Sequence, residues 1–332
     1  MNRTVNVVAI LTSIVALLQA LPCAEAGTSP ALEASSHNVG YADVIIQTAH
    51  SGPIEVRVSY PYHLRGKLPL IVFSHGHYLT NHAYDNLFVE WAQQGFFVAA
   101  PQHIDTGEWQ DVQELTDKVG QDWIAVARIL DVTAVIDQVH AFSGSLASFN
   151  GEVSTDRVVV GGHSLGALTA QLVAGATLEK KHDSIHPIPE SLTDDRAVAV
   201  VAISPPGEAP DYLSPKTWQG FDTPQLVITG TKDVFEHIWQ DYRDHLVSYL
   251  IAEPGHNYLL VADGMDHYMG NLIGRLDRPQ APQIQALENV VRVSVLFMRR
   301  YLQSKDADVE TSALEHDLTR PERDGIVRYE RR

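Results

Sequence analysis

The chain has 332 residues, 45% hydrophobic and 20% charged, a balance ordinary for a globular protein and long enough for one large α/β domain or two small ones. Its 24 Lys and Arg against 41 Asp and Glu give a formal net charge of −17, which excludes nucleic acid and anionic membrane as natural partners. No internal repeat or low-complexity tract interrupts it.

The first segment reads as a leader. Met1-Asn2-Arg3 supplies a short positive start, residues 5–20 are almost continuously apolar, and Ala24-Glu25-Ala26 supplies small residues for cleavage. The apolar run falls short of a membrane span. A signal peptide over 1–26, export to a periplasmic or extracellular space, and no stable membrane insertion are therefore expected. Cys23 is the only cysteine and lies inside this leader, so the mature chain would carry neither disulfide nor thiol chemistry. The domain proper is expected over 27–304, with 305–332 a charged C-terminal tail.

Alternating and β-branched residues at 43–47 and 54–60, joined by Ser51-Gly52-Pro53, predict a hairpin. Residues 68–74 predict a buried strand that runs into the loop His75-Gly76-His77. A helix is expected over 84–94, a strand over 96–101, and a long amphipathic helix over 118–142. Val158-Val159-Val160 then stops at Gly161-Gly162, and Leu165, Leu168 and Leu172 recur at helical spacing beyond Ser164. Residues 178–196 read as a polar surface excursion, 197–203 as a strand and 204–222 as a loop. A strand at 225–229, a helix at 235–250, a strand at 257–262 and a last helix at 283–302 complete the pattern. Apolar strands alternating with helices predict a mostly parallel sheet covered on both faces.

Gly162-His163-Ser164-Leu165-Gly166 sits between a strand and a helix, the setting of a nucleophile elbow. Gly162 and Gly166 are required there because strand and helix backbones approach too closely for a Cβ. In such sheets functional groups collect in loops beyond the strands' carboxyl ends. Asp233 follows the 225–229 strand and His267 follows the 257–262 strand, which gives the chain order Ser, Asp, His. A serine hydroxyl needs an imidazole to take its proton, and the imidazole needs a carboxylate to fix its tautomer. Ser164 is thus the expected nucleophile, His267 the base and Asp233 the orienting acid. Glu236 is the alternative carboxylate, and Asp266 a poorer one because adjacent side chains point apart. Oxyanion donors are expected at the backbone N–H groups of Leu165 and His77. His75, His77, His82 and His103 could instead be read as metal ligands, but the oxyanion role already accounts for the His-Gly loop, so no metal or cofactor is expected. Tyr78, Trp109, Pro205, Met265 and Tyr268 fall in loops near the expected substrate pocket.

The segments Ile71-Val72-Phe73-Ser74-His75-Gly76, Val98-Ala99-Ala100-Pro101-Gln102-His103, Gly162-His163-Ser164-Leu165-Gly166 and Thr229-Gly230-Thr231-Lys232-Asp233 resemble the α/β-hydrolase superfamily, a likeness that runs over residues 41–304. Within it they resemble the branch of platelet-activating-factor acetylhydrolase-like, dienelactone-hydrolase-like and cutinase-like polyester hydrolases. The resemblance implies an α/β sheet of about eight strands, the triad, and carboxylic ester hydrolysis, with a short-chain or small lipid-like ester as the expected substrate. An amidase or peptidase using the same triad, or a polyester hydrolase, is the alternative. Two features depart from that branch: Ser164 stands where dienelactone hydrolases carry cysteine, and His163 stands where many secreted polyester hydrolases carry an aromatic residue.

Overall fold

The strand segments found in sequence all become strands, and with one more near the C-terminus they assemble into a single nine-stranded sheet. The computed structural model describes residues 38–179, 186, 188–209, 213–235, 238–302 and 325–332. The leader with Cys23, Glu236 and residues 303–324 lie outside the described residues, as does part of the 178–196 excursion.

A hairpin of β1 (Val39–Thr48) and β2 (Gly52–Pro61) opens the sheet, followed by β3 (Lys67–Ser74) and β4 (Phe97–Pro101). Next come β5 (Glu152–His163), β6 (Ala197–Ile203), β7 (Gln225–Lys232), β8 (Asn257–Asp266) and β9 (Ile326–Arg331). Their spatial order is β1-β2-β4-β3-β5-β6-β7-β8-β9. Strands β4, β3, β5, β6, β7 and β8 pair in parallel, while the β1, β2 and β9 pairings are antiparallel. This is the α/β-hydrolase fold, with one strand more than expected. Parallel pairing demands helical crossovers, and those helices cover the sheet.

The helices are α1 (Asp85–Gln93), α2 (Trp109–Val119), α3 (Gln121–Ser143), α4 (Leu165–Val173), α5 (Val247–Ile251) and α6 (Ile284–Leu302). On one face, Ile129, Val132, Val135 and Val139 of α3 and Leu168 and Leu172 of α4 pack against Leu70, Val72, Val158 and Val160. On the other, Leu87, Phe88 and Trp91 of α1 and Val290, Val293 and Phe297 of α6 pack against Phe73, Val159, Val201 and Leu260. Alternate residues along each strand serve opposite faces, as period-2 geometry requires.

Four expectations are corrected. The helix expected from 118 starts instead at Gln121, because Gly120 adopts φ 90° and separates it from α2, which sequence periodicity did not reveal. Trp109 therefore opens a helix and is not a loop residue. The helix expected over 235–250 is a bridged turn from Phe235 to Trp239, a 3₁₀ turn at Tyr242–Leu246 begun by an Asp241–Asp244 capping box, and the short α5. The presumed loop 263–266 is the end of β8; there Met265 is fully buried against Gly230, whose missing Cβ would stand 2.2 Å from the Met265 Cβ. Met265 is thus part of the core. The C-terminal segment read as a tail contributes β9, which covers the open edge of β8.

An uncovered β8 edge would present unpaired N–H and C=O groups to solution. Removal of residues 325–332 should lower the melting temperature by roughly 5 °C or more and produce concentration-dependent aggregation, measured by thermal unfolding with light scattering.

Candidate active site

The elbow is built by backbone contact. Ser164 sits at φ 55°, ψ −124° between β5 and α4, a conformation strained for any residue but glycine. A Cβ at Gly162 would lie 2.1 Å from the Gly166 carbonyl oxygen, and one at Gly166 would lie 2.0 Å from the Ser74 carbonyl oxygen. Both glycines are obligatory. Ser164 stays half-buried at the start of α4, and the Leu165 N–H has no hydrogen-bond partner among the described residues.

Beside it, the 75–77 loop is fixed from below. Arg128 is fully buried on α3 and donates from Nη1 to the His75 carbonyl at 2.7 Å and from Nη2 to the Gly76 carbonyl at 3.3 Å. The Gly76 carbonyl also accepts from His75 Nδ1 at 2.7 Å. A trans peptide points its N–H opposite to its C=O. With the Gly76 carbonyl turned into the protein, the His77 N–H faces away from Arg128, and it too has no partner among the described residues. Asp105 balances the guanidinium through contacts of 2.9 and 3.0 Å and also receives His77 Nδ1 at 2.5 Å. Burial raises the Asp105 carboxyl, but Arg128 and His77 overcome that and hold it far below the ordinary carboxylate range.

His267 lies in the turn after β8, almost wholly buried, with Nδ1 2.7 Å from Asp233 Oδ1. Asp233 Oδ2 accepts from the Thr229 hydroxyl at 2.8 Å. Burial alone would raise the Asp233 carboxyl; His245 and His267 outweigh it and keep the carboxyl well below its usual value. An ionised acceptor at Nδ1 makes that nitrogen the N–H of His267 and leaves Nε2 as the basic one. Asp266 has another duty. Its Oδ1 accepts from the backbone N–H groups of Tyr268 and Gly270 at 3.0 and 2.8 Å, which shapes the turn that carries His267.

His163 ties elbow, loop and turn together. Burial pushes its imidazole well below its usual pKa, with the charge of His267 adding to the effect, so it is neutral. Its Nε2 donates to the His267 carbonyl at 2.8 Å, and its Nδ1 accepts from the Tyr84 hydroxyl at 2.9 Å. That hydroxyl in turn accepts the Gly76 N–H at 2.9 Å.

A second Ser-His-Asp chain lies beneath the loop. Ser74 Oγ is 2.9 Å from His103 Nε2, and His103 Nδ1 is 2.8 Å from Asp131 Oδ2. All three are buried, Arg128 Nη1 donates to the same hydroxyl at 3.1 Å, and Ser74 continues a regular strand. No substrate can reach it. Of the histidines weighed as metal ligands, His75 and His103 belong to this buried layer, His77 is bound to Asp105, and His82 lies between Glu55 and Asp43.

Around the site, Phe235 is 5.8 Å from the His267 ring and Tyr268 packs edge-on to it at 5.0 Å, centroid to centroid. Tyr78 lies against His77 at 3.8 Å and Trp109 against Tyr78 at 4.9 Å. Pro205 presents its carbonyl to His245. A cleft beside His77 and Tyr78 is walled by Gln113, Thr116 and Asp117 of α2 and by Gln121. Val234, Phe235, Ile238 and Trp109 are exposed apolar side chains near this region. Arg128, Asp105, Tyr84 and His245 were not found in sequence. Arg128 left one trace, a charged residue inside the apolar run of α3; the others left none.

Sheet order and elbow geometry are those of the α/β-hydrolase fold, and the sequence comparison is consistent with that superfamily. The chlorophyllase family model matches residues 28–186, just under half of the 332-residue chain, and takes in the 75–77 loop and the elbow. That family is one of ester hydrolases related to the platelet-activating-factor acetylhydrolase-like and dienelactone-hydrolase-like esterases. No curated protein matches the chain in sequence.

Two substitutions test this construction. Gly166→Ala must displace backbone and should cost about 3 kcal/mol or more, read by chemical denaturation. Arg128→Met leaves Asp105 buried without its counter-charge and should cost about 3–5 kcal/mol in the same measurement.

Proposed function

We propose that this protein is an exported serine esterase that cleaves small, apolar carboxylic esters through an acyl-enzyme. The contact that carries the reading is His267 Nδ1 on the ionised Asp233 at 2.7 Å, with Asp233 just beyond β7, His267 just beyond β8 and the strained Ser164 just beyond β5 of the same parallel run. His267 Nε2 takes the Ser164 proton as Oγ bonds to the substrate carbonyl carbon. The carbonyl oxygen gains the negative charge, which the N–H groups of Leu165 and His77 accept. Collapse of that intermediate breaks the ester C–O bond, and His267 returns the proton to the leaving alcohol. Water then repeats the cycle on the acyl-serine and restores the free enzyme.

Apolar substrates are favoured by the exposed Val234, Phe235, Ile238 and Trp109, since such side chains gain most when covered by apolar groups. The chlorophyllase match adds chlorophyll to the esters worth testing. Export rests on the apolar leader and its small-residue cleavage site. No helix among the described residues is long and apolar enough to cross a membrane.

A panel of p-nitrophenyl esters of rising chain length, with chlorophyll and a peptide anilide beside it, tests the class: ester turnover without anilide turnover is expected. Ser164→Ala should lower kcat by several orders of magnitude with folding intact, and a serine-directed phosphonate should attach to Ser164. Attachment at Ser74 would overturn the assignment. Asp233→Asn should cost roughly 10⁴ in kcat, whereas Glu236→Gln should cost little. N-terminal sequencing of protein from its native host should begin near Gly27.

A further inference from the structure

Asp233 does not serve one histidine. His245, fully buried in the 3₁₀ turn Tyr242–Leu246, places Nε2 3.2 Å from Asp233 Oδ1, the same oxygen that His267 contacts. Its other nitrogen is committed: Nδ1 is 2.7 Å from the Pro205 carbonyl oxygen, which can only accept, so Nδ1 carries a proton. A neutral His245 would then leave the bare lone pair of Nε2, a buried nitrogen that makes no hydrogen bond among the described residues, 3.2 Å from a carboxylate oxygen. A second proton on Nε2 converts that repulsion into a buried charge pair.

We propose that His245 is an imidazolium that shares the Asp233 carboxylate with His267, a positioning residue that neutralises the carboxylate and so restrains the basicity of the catalytic imidazole. The inference rests on the triad reading above. The charged groups around His245 agree with it. Asp233 faces it from the end of β7, Asp244 adjoins it on its own turn, and the β6 loop offers only the Pro205 carbonyl. Opposing it are the His267 ring, 5.7 Å away, and the neutral His163 at the end of β5. Burial disfavours a charge at His245, but Asp233 outweighs burial and raises its affinity for a proton.

The consequence is specific to the acid side of the pH profile. A lone carboxylate would favour uptake of a proton by His267 and silence the base as pH falls. A positive charge 5.7 Å away opposes that uptake and keeps the base available at lower pH. At that separation, with screening between protein interior and water, the coupling is worth roughly one pH unit. Above the pH at which His245 itself loses its proton, the restraint disappears.

The test has two arms. In the intact protein, ¹⁵N NMR of histidine-labelled material should show both His245 ring nitrogens protonated at neutral pH; an unprotonated Nε2 overturns the proposal without any variant having to fold. In His245→Gln, with folding checked by circular dichroism, the acid limb of kcat/KM should move up by roughly one pH unit. A kcat reduced equally at every pH, with the limb unmoved, would mean that His245 only packs, and overturns the proposal. Phosphonate labelling of the same preparations separates the two failures. If Ser164 is not labelled, the triad reading fails and this role with it. If Ser164 is labelled and the limb stays, only the role of His245 fails.

Discussion

The site depends on one steric contact, the approach of the Gly166 backbone to the end of β3. With 2.0 Å between an imagined Cβ and the Ser74 carbonyl oxygen, α4 can only lie where it does if residue 166 has no side chain. That contact fixes the start of α4 against the 75–77 loop. The Ser164 backbone and the N–H groups of Leu165 and His77, which have no partner among the described residues, are therefore held by packed backbone, and the two N–H groups have no side-chain rotamer to freeze. In the mechanism proposed above, these are the donors that meet the developing oxyanion without reorganisation during reaction.

Two buried polar layers support that contact from opposite sides. Below, the Arg128–Asp105 pair turns the carbonyls of His75 and Gly76 inward, and Ser74, His103 and Asp131 complete the layer. Above, Tyr84 and His163 link the Gly76 N–H to the His267 carbonyl. A buried ion pair contributes little net stability, because desolvation offsets most of its attraction. What these layers supply is direction: each carbonyl that points into the protein aims a neighbouring N–H outward.

The Ser74-His103-Asp131 chain is instructive because its hydrogen-bond distances alone match the arrangement sought in a serine hydrolase. Burial and backbone conformation separate it from the Ser164 site. Ser74 lies in regular strand with Arg128 on its hydroxyl, whereas Ser164 is strained, half-exposed and at a helix start. The spacing of donors and acceptors defines a triad only together with access and the strain that projects the nucleophile.

Sequence alone determined the parts whose cause is local. The strands were legible because buried parallel strands are continuous apolar runs, and the elbow because its glycines answer a steric demand within five residues. Asp233 and His267 were legible because a parallel sheet sends functional groups to the ends of successive strands. Tertiary structure decided the rest. Arg128, Asp105, Tyr84 and His245 act on groups 23 to 79 residues away or on the far side of a loop, and nothing in their own neighbourhood records that partner. The break at Gly120, the burial of Met265 and the pairing of β9 were likewise set by what packs against them. Local propensity and pattern act over a few residues, whereas burial and buried charge are settled only when distant segments meet.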